Sequence, residues 1–255
     1  MTINKRTMIK NKKILVLGAN SEVAKKIIHK LASDNNFYLI ARDLAKLRSV
    51  GTDLNSQPPW LASSDFLDIE KTRQHIERAW QQSGGIDLAI IAHGLLGDQL
   101  ATEHDYQFAE QVITTNFTCV VPQLITLSHR MRIAGGGKIA VITSVAGDRG
   151  RPRNYTYGAA KGALGLYLQG LRSTLWNSGV EIYNFKMGPV DTPMTSSHKK
   201  DFSFAAADQV AATMVRILET KKYTAYVPAF WRPVMWLVRL LPESIFQRLN
   251  FLSGR

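Results

Sequence analysis

The chain has 255 residues, 45% of them apolar and 20% charged, with 32 Lys and Arg against 20 Asp and Glu for a formal charge of +12. That apolar share excludes a disordered chain. The 18 Gly and 9 Pro are too few for a fibrous one, and the single cysteine excludes a disulfide framework and a Cys-rich zinc site. The charge leaves nucleic acid, anionic lipid and a phosphorylated ligand open as partners.

Residues 1–12 are basic and lack an apolar stretch, so they are expected to form a short arm rather than a secretory leader. Lys13–Leu17 (KILVL) is a fully apolar strand, and Val23, Ile27, Ile28 and Leu31 follow at helical spacing. Residues 37–41 (FYLIA), 86–92 (IDLAIIA), 138–143 (KIAVIT) and Val180–Met187 (VEIYNFKM) predict further strands, with a third strand before Ser64. Continuous apolar strands separated by amphipathic helices predict an α/β fold, a Rossmann-type doubly wound parallel sheet covered on both faces. The expected domain covers residues 13–222, with an apolar and aromatic tail over 223–255. No stretch is long and clean enough for an ordinary transmembrane helix, and a cytoplasmic protein with a reduced, buried Cys119 is expected.

The first strand runs into Gly18-Ala19-Asn20-Ser21-Glu22-Val23-Ala24 and then a helix. Such a turn points free N–H groups and the positive helix end at a phosphate. The second strand ends at Arg42. Its planar fork suits a 2′-phosphate, whereas the competing role is a solvated surface arginine. Asp65 either accepts a hydrogen bond from an adenine amino group or caps the next helix.

The strand 138–143 delivers Ser144, and Tyr157 and Lys161 follow at i and i+4, on one helix face. A phenol of pKa ~10 becomes a usable acid or base when a cation beside it stabilises the phenolate. A serine hydroxyl can bind the same substrate oxygen. This set suits carbonyl and alcohol interconversion by hydride transfer. Tyr155 competes for the tyrosine role, but Ala159 stands four residues beyond it.

At these residues the chain resembles the short-chain dehydrogenases/reductases over residues 12–220. The matching elements are the turn at Gly18, Asp65, Ala92-His93-Gly94, Asn116, Ser-x12-Tyr-x3-Lys at 144, 157 and 161, and Gly188-Pro189-Val190-Asp191-Thr192. The resemblance implies that Tyr157 gives the proton in reduction and that Lys161 lowers its pKa and binds the nicotinamide ribose. Ser144 orients the carbonyl, and Asn116 holds a water touching Lys161. It implies a cofactor site of Gly18, Asn20, Ser21, Glu22, Val23, Arg42, Asp65, Phe66, Ala92, His93, Gly94, Tyr157, Lys161, Pro189, Val190 and Thr192. NADP(H) is preferred and NAD(H) stays open. It also implies a homodimer or homotetramer through helices around 107–131 and 157–176.

Some residues depart from the pattern. Glu22 and Ala24 replace two usual glycines; Glu22 either points outward or weakens the cofactor. Met187 replaces a common proline. Ser-Glu-Val-Ala with Ala-His-Gly is similar to the decaprenylphosphoryl-2-keto-pentose reductase branch, which implies a keto-sugar on a polyprenyl phosphate.

Between Ser144 and Tyr157, Arg149, Arg151 and Arg153 form either a solvated loop or a grip on an anionic substrate, with Arg149 and Arg153 the candidates. Residues 193–204 are expected to be a flap. In the tail, Trp231, Trp236, Arg232 and Arg239 lie on an apolar helix that Pro242 should break. Residues 224–252 read as a peripheral contact with the inner membrane face, or as packing on the core or a second subunit.

The expected function is therefore an NADP(H)-dependent ketone reductase, of a lipid-linked or small-molecule carbonyl. The alternatives are a reductase of a soluble 3-oxoacyl or similar carbonyl, and a non-catalytic dinucleotide sensor. No nucleic-acid motif accompanies the charge and no metal site is expected.

Overall fold

A computed structural model describes residues 9–52, 54, 59–196 and 200–249. Most of the expected N-terminal arm, the middle of the expected flap and the end of the tail lie outside the described residues.

The strands are β1 (Lys13–Leu17), β2 (Asn36–Ala41), β3 (Trp60–Ser63), β4 (Leu88–Ile91), β5 (Gly137–Ser144), β6 (Val180–Met187), the short β7 (Val190–Asp191) and β8 (Ala205–Ala206), and β9 (Thr224–Val227). Seven of them make one parallel sheet in the order β3-β2-β1-β4-β5-β6-β9. The helices are α1 (Glu22–Leu31), α2 (Leu44–Thr52), α3 (Ile69–Ser83), α4 (Gln99–His104), α5 (Tyr106–Ile113), α6 (Val120–Ile133), α7 (Tyr155–Thr174), α8 (Ala207–Leu218), α9 (Trp231–Leu240) and α10 (Glu243–Phe246).

The central strands are apolar throughout because both faces of the sheet are covered. On one face Ile14, Val16 and Leu39 pack with Val23, Ile27 and Ile28 of α1 and with Val210 and Met214 of α8. On the other, Leu15, Leu17 and Ile91 pack with Leu124 and Leu127 of α6 and Leu164 and Leu168 of α7. The strand order reverses between β1 and β4, which opens a crevice at the C-terminal ends of the strands.

The sheet does not stop where the sequence placed the domain boundary. β9 pairs with β6 from Asn184↔Thr224 to Met187↔Val227, so the first residues assigned to the tail are its last strand. The run TAYV is short and its apolar alternation merges with the aromatic stretch after it, which hid it. Beyond β9 the tail is neither extended nor detached. α9 buries Met235 and Val238 against Val145, with Phe246 of α10 completing a third small core. Leu241 ends α9 and Pro242 starts α10, the break expected at the proline. The opposite side of α9 is also apolar: Trp236, Leu237 and Leu240 are exposed, beside Arg232 and Arg239. Among the described residues no helix is long and apolar enough to cross a membrane.

Candidate active site

At the cofactor end, Gly18 turns with φ +87°, and a Cβ there would lie 2.5 Å from the backbone nitrogen of His93. The turn therefore requires glycine, both for its backbone and for the close approach of the two strand ends. Ser21 occupies the N-cap of α1, yet its hydroxyl takes none of the helix N–H groups. Asp68, Asp98 and Asp105 do cap α3, α4 and α5 with their side chains. The first N–H groups of α1 are thus left for a ligand, which fits the pyrophosphate of a dinucleotide. Glu22 is turned aside toward Lys25 and Lys26, 3.8 and 3.9 Å away. The Asn20 amide donates to the Asp43 carbonyl at 2.8 Å, and its buried Oδ1 has no partner among the described residues.

Arg42 directly follows β2, is exposed, and has no acid within 4.0 Å among the described residues, so its guanidinium is available to an anion. Asp65 is exposed as well, and the helix cap it might have supplied comes from Asp68. Among the described residues its carboxylate accepts the Leu67 N–H, at 3.1 Å.

The backbone of His93 lies against the Gly18 turn, while its ring turns inward, stacking on buried Phe66 at 4.1 Å and pairing through Nε2 with Gln123 of α6 at 3.0 Å. Burial pushes its pKa down to about 4. Phe66 is likewise committed to this stack. Ala92 is buried just past β4, its N–H bonded to the Leu17 carbonyl at 2.8 Å.

Asn116 lies in a π-turn, Thr114–Thr118, between α5 and α6. Its amide nitrogen donates to the carbonyls of Leu95 (2.6 Å) and Val112 (2.8 Å), and its oxygen accepts the Leu95 N–H at 3.2 Å. Asn116 therefore clamps the chain after Gly94. A Cβ on Gly94 would meet Asn116 Oδ1 at 2.8 Å and Lys161 Nζ at 3.4 Å, so the two polar groups converge on that glycine.

Lys161 is buried, and its ammonium donates to the Ile142 carbonyl at 3.2 Å and stands 5.8 Å from the Tyr157 ring centroid. Burial brings its pKa down to about 8. Burial acts on Tyr157 too, pushing the phenol up to about 12, with Ser144 acting in the opposite sense. Ser144 stands at the end of β5, its oxygen accepting the Ala146 N–H at 3.1 Å and its hydroxyl donating a long 3.4 Å bond to the Met187 carbonyl. That long bond is easily exchanged for a substrate oxygen.

Ser144 meets α7 because the turn Val145–Asp148 lies against that helix almost without side chains between them. A Cβ on Gly147 would fall 2.6 Å from the Gly162 nitrogen, and one on Gly158 would fall 2.8 Å from the Ala146 oxygen. The Gly158-x3-Gly162 spacing carried this signal in the sequence.

Pro189 accepts the Ala205 N–H at 3.0 Å, Val190 is buried, and Thr192 opens a short turn closed by Thr195, so the segment after β6 is pinned to β8. A cavity of ≈160 Å³ reaches Tyr157 and is lined also by residues 96–99, Thr102, Arg153, Asn154 and Thr156. Gln99, Thr102 and Thr156 were missed by sequence reasoning. They form one network at the start of α7, with Gln99 Oε1 accepting the Thr156 N–H at 3.0 Å and the two threonine hydroxyls 3.0 Å apart. Tyr155 is exposed.

The three loop arginines have different fates. Arg153 remains exposed at the cavity. Arg149 does not face it: the same Nη1 donates to the carbonyls of Val238 (2.8 Å) and Leu241 (2.6 Å), and the guanidinium lies 4.2 Å from the Phe246 ring centroid. The end of α9 offers unpaired carbonyls, which a cation satisfies well. Arg151 donates to the Met235 sulfur at 3.2 Å.

The short chain dehydrogenase family model matches residues 12–202. An uncharacterized oxidoreductase of Mycobacterium tuberculosis is 29% identical over 92% of this chain and 96% of its own. One of Streptomyces coelicolor is 29% identical over 92% of this chain and 95% of its own. A short chain dehydrogenase from Burkholderia cenocepacia, solved in complex with NADP, superposes with a TM-score of 0.80 at 20% identity over 94% of this chain and 98% of that one. The chain belongs to the short-chain dehydrogenase family. Within it, the chain is an NAD(P)-dependent oxidoreductase.

Proposed function

We propose that the protein is an NADP(H)-dependent reductase of a ketone. The observation that carries this is that Tyr157 lines the cavity with Lys161 5.8 Å from its ring, that Lys161 and Asn116 meet at Gly94, and that Ser144 heads the turn packed on the same helix. Bound nicotinamide supplies the hydride. Ser144 binds and polarises the carbonyl oxygen, and Tyr157 donates a proton to it. Lys161 supplies the positive charge that favours the phenolate left behind and binds ribose hydroxyls. Asn116 holds the Gly94–Leu95 turn in place beneath them. The open N-terminus of α1 takes the pyrophosphate, Arg42 the 2′-phosphate and Asp65 the adenine amino group; Pro189, Val190 and Thr192 line the nicotinamide end. The preference for NADP(H) rests on Arg42, and on the NADP held by the Burkholderia neighbour. NADPH oxidation against a panel of ketones tests the assignment; no ketone-dependent oxidation would sink it.

The exposed apolar side of α9 favours a second, finer reading, in which the ketone is a keto-sugar on a polyprenyl phosphate met at the inner membrane face. Trp236, Leu237 and Leu240 would enter the interface while Arg232 and Arg239 meet anionic headgroups, and Arg153 would meet the substrate phosphate. Flotation with phosphatidylglycerol vesicles is the test: the intact chain should float, and a Trp236→Asp, Leu240→Asp variant should not. A dimer through α5, α6 and α7 is supported by exposed Ile125 and Leu166. Light scattering would show twice the chain mass.

A further inference from the structure

The turn Val145–Asp148, which follows Ser144 directly, is held between two bodies. On one side lies α7 with Tyr157 and Lys161, joined through the glycines at 147, 158 and 162. On the other lies the tail. Val145 packs against Met235, Val238 and Phe246. Asp148 is almost fully buried, paired with Lys186 and accepting the Tyr226 hydroxyl at 2.6 Å. Arg149 then ties α9 and α10 to this turn by its two carbonyl bonds and its stack on Phe246. No residue of the tail is within the family match, which ends at 202.

Ser144 is held through the turn that follows it: its oxygen accepts the Ala146 N–H at 3.1 Å, and its hydroxyl donates a long 3.4 Å bond to the Met187 carbonyl. A serine that must meet a carbonyl oxygen needs placement to within a fraction of an ångström. We infer that Arg149 is a positioning residue for Ser144: by fastening α9 and α10 to the Val145–Asp148 turn it makes the tail a working wall of the catalytic site. Arg149 touches neither substrate nor cofactor and acts through the turn. The inference rests on the reductase assignment for its kinetic readout, but not for its structural one.

The test is a double-mutant cycle of Arg149→Ala and Ser144→Ala, with NADPH as cofactor and a ketone found active in the panel. Arg149→Ala should lower kcat about tenfold or more with the NADPH Kd unchanged, and Ser144→Ala should lower it further when made alone. Made together, the two should cost no more than Ser144→Ala alone, because Arg149 has nothing left to position. Phe246→Leu, a milder change on the other side of the stack, should reproduce a smaller loss of the same kind. Hydrogen exchange of the full chain gives the readout free of turnover: Arg149→Ala should raise exchange in residues 144–148 and 231–241 together, with β1 and α1 unchanged. Multiplicative kinetic losses, a weakened NADPH Kd, or exchange that rises in the tail while 144–148 stays protected would each overturn the inference. If no ketone of the panel drives NADPH oxidation by the wild type, the reductase assignment fails, and the exchange result alone decides whether the tail holds the turn.

Discussion

Arg149 and Arg153 stand four residues apart in one loop and end in opposite environments: one is shut against a helix end, the other is exposed at the cavity. The same contrast separates the two halves of the site. The proposed cofactor half is built mainly by main chain, through the Gly18 turn and the open N-terminus of α1, with the Asn116 amide clamping the Leu95 backbone. The substrate half is built by long side chains reaching between a loop and the tail. Main-chain sites follow from strand order and short motifs. Side-chain sites depend on which distant segment happens to fold back.

Apart from loss of the Tyr157 hydroxyl itself, the largest expected effect lies in the substrate half. Ser144→Ala should lower kcat by about 10²–10³-fold with NADPH affinity unchanged, as for loss of one oxyanion donor; steady-state kinetics with cofactor titration checks it. Next comes a stability effect in the cofactor half. His93 has its pKa lowered from 6.5 to about 4. The unfolded chain therefore takes up a proton that the folded one resists. Stability is full above pH 6.5 and falls by up to ~3 kcal/mol as pH drops from 6.5 to 4. Urea titrations across that range measure it, and His93→Ala, though less stable overall, should show a flatter pH dependence. Arg42→Ala should weaken NADPH by roughly 10–100-fold, one charge-assisted pair, and leave NADH nearly untouched. Equal losses would make Arg42 a surface residue and remove the NADP(H) preference. The smallest effect is the pH profile. Lys161 has a pKa lowered to about 8, so kcat/KM for reduction should decline about tenfold per unit as pH rises past 8. A flat profile to pH 10 would show that its charge is not needed.

The apolar runs of β1, β2, β4, β5 and β6 made the sheet legible, since buried parallel strands need no alternation to be recognised. Ser144, Tyr157 and Lys161 were legible because their spacing serves one chemistry. The destination of Arg149 was not legible, because an arginine in a loop looks alike whether it meets solvent, substrate or a helix end. Nor was the inner face of α9. That helix is apolar on opposite sides, so its pattern could not say that Met235 and Val238 turn inward while Trp236 and Leu240 turn out. The direction of the His93 ring was not legible for a similar reason: nothing local announces that Gln123, thirty residues on, will pair with it.

The central claim is that Tyr157 gives the proton to a ketone bound against Ser144. Its most direct measurement is the single-turnover rate of NADPH oxidation by Tyr157→Phe, with an active ketone and with the NADPH Kd measured in parallel. The account predicts a rate lower by about 10²–10⁴-fold at an unchanged Kd; a rate within a factor of about two of the wild type would contradict it.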